Sequence, residues 1–231
     1  MRSSGISTIV KLLRRNFGRR RFIRQKDAVG ELVKTILSQN TSDRNSFRAY
    51  NNLKKHFADW AALRKAKIAA IRREIKIAGL ANIKAPRIKE ALREIGRRRG
   101  SLSLRFLHGL NTKEGYAFLR SIKGIGPKTA AVVLLFSFGK PVMPVDTHIH
   151  RVTKRLGILD EKATHEEAQE YFSAVVPKGL IYEFHVNLIS HGREICIARN
   201  PRCPICNLKR LCKYYKERYG RQSVKDRKKR V

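Results

Sequence analysis

Apolar residues recur along most of the chain at the spacing of helices packed on one side. Ile6, Ile9, Val10, Leu13 and Phe17 fall at i, i+3, i+4, i+7 and i+11. That stripe predicts a first helix, with Arg14, Arg15 and Arg19 to Arg21 on a solvated or phosphate-facing side. Residues 28–39 (AVGELVKTILSQ) repeat the period, and Ser42 with Asp43 can cap the next helix towards His56. Ile68 to Ile77 is basic and amphipathic and stops at Gly79. Pro86 suits the first turn of a helix ending near Ile95, closed by Gly96 and Gly100. Thr112 to Arg120 is another short helix, and Thr164 to Glu167 forms a capping box for the helix carrying Ala168, Tyr171 and Phe172. In residues 122–136 (IKGIGPKTAAVVLLF), Gly124 and Gly126 permit a tight turn with positive φ, and Pro127 is pre-set to open a helix. That helix is apolar on almost every face, which predicts burial, and Gly139 ends it. Strand signals are nearly absent, and no repeat or glycine- or serine-rich linker occurs. The predicted class is all-α.

Charge changes the picture. The 231 residues hold 52 Lys plus Arg against 18 Asp plus Glu, a formal net charge of +34. Such an excess calls for a polyanionic partner. Hydrophobic residues are still 42% of the chain, enough for a packed core, so a basic disordered tail alone is excluded. No apolar run long enough for a membrane-spanning helix exists. Up to Lys26 there is no acidic residue, the composition of an organellar transit peptide, but the apolar stripe favours a packed helix. All four cysteines lie between 196 and 212. A secreted scaffold would spread them to staple distant segments, so one metal centre in a reducing compartment, cytoplasm or nucleoid, is expected. Monomer is the default oligomeric state.

Three features carry candidate chemistry. The Gly124–Gly126 turn opening onto a helix N-terminus presents amides and a positive dipole end, a cradle for a backbone phosphate. Lys128 follows in the first turn, where the dipole and neighbouring cations favour the neutral, nucleophilic amine; on the residues alone it reads equally well as a phosphate contact. Asp146 can N-cap the helix bearing Ile149, Val152 and Leu156, and a carboxylate near Lys128 could also move its proton. Cys196, Cys203, Cys206 and Cys212, spaced 6-2-5, suit zinc or an iron–sulfur cubane equally by spacing.

Gly124-Ile-Gly-Pro-Lys-Thr-Ala130 followed by Val145-Asp-Thr-His148 resembles the helix-hairpin-helix and Gly/Pro…Asp signature of base-excision DNA glycosylases, and among them the endonuclease III family. The 6-2-5 cysteine spacing after His191-Gly-Arg193 is similar to that family's cluster motif, which implies a [4Fe–4S] cluster on the four cysteines. The resemblance runs from the first helix to about Tyr215. It implies a two-lobed fold: a six-helix, barrel-like domain over 28–140 and a cluster domain from 1–27 with 141–231, DNA lying between Lys128 and Asp146. Lys128 would be the Schiff-base nucleophile and Asp146 its essential carboxylate. Gly124, Gly126, Thr129 and His148 would contact DNA. Asn40 stands where the family has a gap-filling Gln, with Gln39 one place earlier, and Leu80 stands at its apolar wedge. The implied activity is excision of damaged, oxidised pyrimidines from double-stranded DNA with cleavage at the abasic site. The alternatives are a monofunctional thymine or uracil mismatch glycosylase, and a non-catalytic metal-containing DNA-binding module. The basic run Lys225 to Arg230 reads as a solvated tail adding non-specific DNA affinity.

Overall fold

The computed structural model describes residues 3–219; the run Lys225 to Arg230 lies outside them. The described chain is helical throughout, and no strand occurs among the described residues. No described helix is long and apolar enough to cross a membrane. The chain divides into two compact units, Ile23–Lys140 and a discontinuous one made of Met1–Phe22 and Pro141–Val231.

The continuous unit holds α2 (Ala28–Leu37), α3 (Asp43–His56), α4 (Trp60–Lys65), α5 (Ile68–Ile75), α6 (Ala81–Arg99), α7 (Thr112–Arg120) and α8 (Pro127–Phe138). These are seven helices where the sequence reading expects six. The addition is α4, too short for periodicity to register and started by Asp59, whose carboxylate accepts the Ala62 amide at 2.7 Å. Helix α2 packs on α3, α6 and α8, and α7 packs on α8. Residues 23–27 belong here because the Gln25 amide donates to the Phe136 carbonyl and Arg24 Nε to that of Ser137. Helix α6 exceeds its predicted limits at both ends. It starts at Ala81, so Pro86 lies in its second turn, and it runs through a buried Gly96 to Gly100 at φ 67°. Gly96 is not a stop: it lies buried inside the helix, with the Arg64 guanidinium over the place a Cβ would take.

The discontinuous unit holds α1 (Ser3–Phe17), α9 (Thr147–Leu156), α10 (His165–Val175) and α11 (Ile181–Glu194). The stripe of α1 is buried at Ile6, Ile9, Val10 and Leu13, and α1 packs on α11. Arg14 clamps this pair, Nε and Nη2 donating to the Glu183 carboxylate at 2.6 and 2.7 Å. The guanidinium holds the carboxyl of Glu183, whose side chain is only 4% exposed, below its ordinary range. A carboxylate depressed in the folded state contributes stability above its unfolded value, about 4.3, and loses it as pH falls from there through its lower folded value. Arg14→Ala is therefore expected to cost about 3 kcal/mol in urea unfolding at pH 7, since it strands a buried charge. The difference from wild type should shrink progressively as pH falls below about 4.3 and folded Glu183 takes up its proton. An undiminished difference there would contradict the account.

Candidate active site and metal centre

In the continuous unit the hairpin between α7 and α8 takes its shape from one glycine. Gly124 sits at φ 89°, and a Cβ there would meet the Arg87 side chain at 3.1 Å. Gly126 departs from the expected positive φ: it is extended, at φ −81° and ψ 172°. A Cβ at Gly126 would meet nothing within 4 Å, so its value is open space over the N-terminus of α8, where a ligand's phosphate can come close. Lys128 is half-buried in the first turn of that helix. Its ammonium acts on Glu31 of α2, where burial raises the carboxyl's proton affinity while Lys34 and Lys128 oppose the rise. Nothing in the sequence singles out Glu31, because only the packing of α2 on α8 brings it near the hairpin.

Thr129 is 2% exposed, and its hydroxyl accepts from Gln39 Nε2 at 3.4 Å. Its side chain therefore faces inward, whereas the resemblance implies a DNA contact there. Gln39 is also held on its other side, Oε1 accepting from Arg87 Nη1 at 3.1 Å. Arg87 thus ties the end of α2 to the hairpin, a link no sequence signal marks. Asn40, next in the chain, is exposed at φ 50°, and Leu80 shares that φ with 48% exposure. A left-handed leucine is strained by about 1 kcal/mol or more. Leu80 and the exposed Ile83 line one surface cavity with Arg72, Arg73 and Lys76, an apolar prominence with cations beside it.

In the discontinuous unit Asp146 N-caps α9, Oδ1 accepting the Ile149 amide at 2.8 Å. Its charge is felt by Arg151 and His165. Arg151 donates to the carbonyls of Gly192 and Cys196 at 2.7 and 3.1 Å and meets His148 Nδ1 at 3.2 Å. His148 is half-buried and packed against Gly192, where an added Cβ would lie 2.9 Å from its own Cβ. One arginine therefore joins the Asp146 helix to the cysteine segment.

All four cysteines line one apolar pocket, among Val152, Leu156, Ile195 and Leu208. Burial raises the thiols of Cys203, Cys206 and Cys212, that of Cys206 to about 11, and the other sulfurs add to the rise. Four thiolates there need a strongly cationic core to balance them. Polar partners are in place: Arg155 Nη1 lies 3.4 Å from Cys196 Sγ, and His191 Nε2 lies 3.7 Å from Cys206 Sγ. Arg155 also donates to the carbonyls of Ile197 and Ala198 at 2.7 and 2.9 Å, fixing the loop between the first two thiols. Among the described residues no three His, Cys, Asp or Glu side chains converge as a single ion requires.

Residues 33–178 match the HhH-GPD superfamily of base excision DNA repair proteins, which is the class this hairpin and all-helical fold define. The chain is 36% identical over 172 residues to an Arabidopsis thaliana protein assigned as a DNA glycosylase, spanning 74% of this chain and 58% of that one. It is 35% identical over 192 residues to endonuclease III of Sulfolobus acidocaldarius, covering 82% of this chain and 83% of the relative. A solved endonuclease III in a non-covalent complex with DNA shares the fold, with TM-score 0.80 and 24% identity over 94% of this chain and 98% of that one. The chain belongs to the endonuclease III family.

Proposed function

We propose that this protein is a base-excision DNA glycosylase that also cleaves the strand at the resulting abasic site, acting on damaged, oxidised pyrimidines in double-stranded DNA. The observation that carries the reading is Lys128, half-buried in the first turn of α8 behind an open glycine turn. The Lys128 amine attacks C1′ of the extruded nucleotide. The bond from C1′ to the base breaks, and the base leaves with its electron pair and takes up a proton. Ring opening gives an iminium between C1′ and Lys128 Nζ. Loss of a C2′ proton then expels the 3′-phosphate, cutting the strand on that side. Asp146 is the carboxylate that stabilises the cationic sugar and moves protons, beyond its work as a cap.

Extrusion leaves a hole that must be filled. Asn40 is the polar residue for it, because the Gln39 side chain is already engaged by Arg87 and Thr129. Leu80 is the apolar wedge. Four thiols lining one apolar pocket, at the 6-2-5 spacing of the family's cluster motif, support a [4Fe–4S] cluster on Cys196, Cys203, Cys206 and Cys212. When bound, that group cross-links the segment and compensates four thiolates. The residues between its ligands, Arg199, Arg202, Lys209 and Arg210, then form a basic, phosphate-facing surface.

Borohydride trapping on duplexes bearing an abasic site, an oxidised pyrimidine or a uracil mismatch tests the reading. A covalent adduct is expected on the first two. Alkali-labile sites without any adduct would mean a monofunctional glycosylase, and neither product alongside normal DNA binding would mean a binding module.

A further inference from the structure

We propose that Lys84 is a positioning residue that couples the two gap-filling loops, holding Asn40 and Leu80 in register so that both enter the duplex together. The inference rests on reading those two residues as the plug and the wedge. Lys84, on α6, is only 1% exposed. Its Nζ donates to the carbonyl of Leu37 and to that of Ala78, each at 2.8 Å. Leu37 is the last residue of α2, three before Asn40, and Ala78 lies two before Leu80. The backbone amide of Lys84 also donates to the Leu80 carbonyl, at 2.9 Å. One residue thus grips the wedge from both ends and the base of the plug at the same time.

A lysine this deep is costly to bury, and burial lowers its proton affinity. A cation at the C-terminus of α2 recovers part of that cost from the helix dipole. Methionine here would avoid burying the amine but would leave both carbonyls without their donor. What the amine alone does is join two carbonyls from separate segments. Each segment then leads into a non-glycine residue at φ 50°, a conformation that persists only where its surroundings hold it. Asn40 and Leu80 are two of the three such residues in the described chain.

The test compares wild type with Lys84→Met by borohydride trapping on an abasic site in duplex and in single-stranded DNA. Only the duplex has an opposing base to displace and a hole to fill. The variant is expected to lose about tenfold or more on the duplex and to keep the wild-type rate on the single strand. Amide exchange should quicken together at residues 38–42 and 78–82. A wild-type enzyme with no preference for duplex would overturn the plug-and-wedge reading itself. A wild-type preference that Lys84→Met leaves unchanged would overturn only the coupling. Should Lys84→Met fail to fold, Gly79→Ala perturbs the wedge loop from outside the core. Gly79 is at φ 66° with nothing within 4 Å of an added Cβ, so the change acts on backbone alone. Faster exchange at 38–42 in Gly79→Ala is then the expected sign of coupling, and unchanged exchange there would overturn it.

Discussion

Lys128→Ala is expected to bind duplex DNA yet form no borohydride-trapped adduct, with strand cleavage falling at least about 10³-fold. The comparison separates two roles that one lysine at a helix N-terminus could fill. A phosphate-contacting lysine would, on removal, weaken binding and reduce the salt slope by about one while leaving trapping in place. A nucleophile does the reverse. The surroundings suit the second role. The dipole of α8 disfavours a cation in its first turn, and the proposed phosphate cradle would be formed by backbone amides that Gly124 and Gly126 leave open. An adduct persisting in Lys128→Ala would move the nucleophile elsewhere and end the assignment.

Cys203→Ala should remove the visible iron–sulfur absorption, lower the melting temperature and weaken DNA binding. Cys203 is buried, and its thiol faces the same cavity as the other three. A structural four-thiolate centre contributes on the order of 10 kcal/mol of binding energy that is also folding energy, so losing one ligand releases the segment between 196 and 212. That segment carries Arg199, Arg202, Lys209 and Arg210, and each phosphate that is no longer neutralised lowers the salt slope by about 0.9. Metal analysis decides the identity of the centre: iron and sulfide in equal amounts are expected. One zinc per chain with no iron would overturn the cluster.

How far these features could be read beforehand follows from the range of the forces behind them. The stripe of α1 and the all-round apolar α8 were legible because helix burial writes itself into residues three and four apart. The gathering of the four cysteines on one pocket was legible because they lie close together in the chain. The capping role of Asp146 was legible for the same reason, its acceptor being three residues from its donor. The start of α6 was not, because Leu80 takes a left-handed conformation that leucine does not favour, and Pro86 offered a more obvious beginning. Gly126 carried the expected residue type but a different backbone, since Pro127 asks only for an extended residue before it. Arg87 on Gln39, Glu31 beside Lys128 and Lys84 on two carbonyls all join segments far apart in sequence. Nothing local distinguishes these side chains from the many other charged residues of so basic a chain.

The discontinuous unit has a consequence during synthesis. Ile23–Lys140 is contiguous, so it can fold as soon as it leaves the ribosome. Helix α1 is translated first, but its partner α11 comes far later; Arg14 and Glu183 are 169 residues apart. At typical elongation rates the nascent helix waits roughly 10–30 s for the surface that buries Ile6, Ile9 and Leu13. During that interval the apolar stripe of α1 has no partner, because the residues of α11 that cover it lie in the last quarter of the chain.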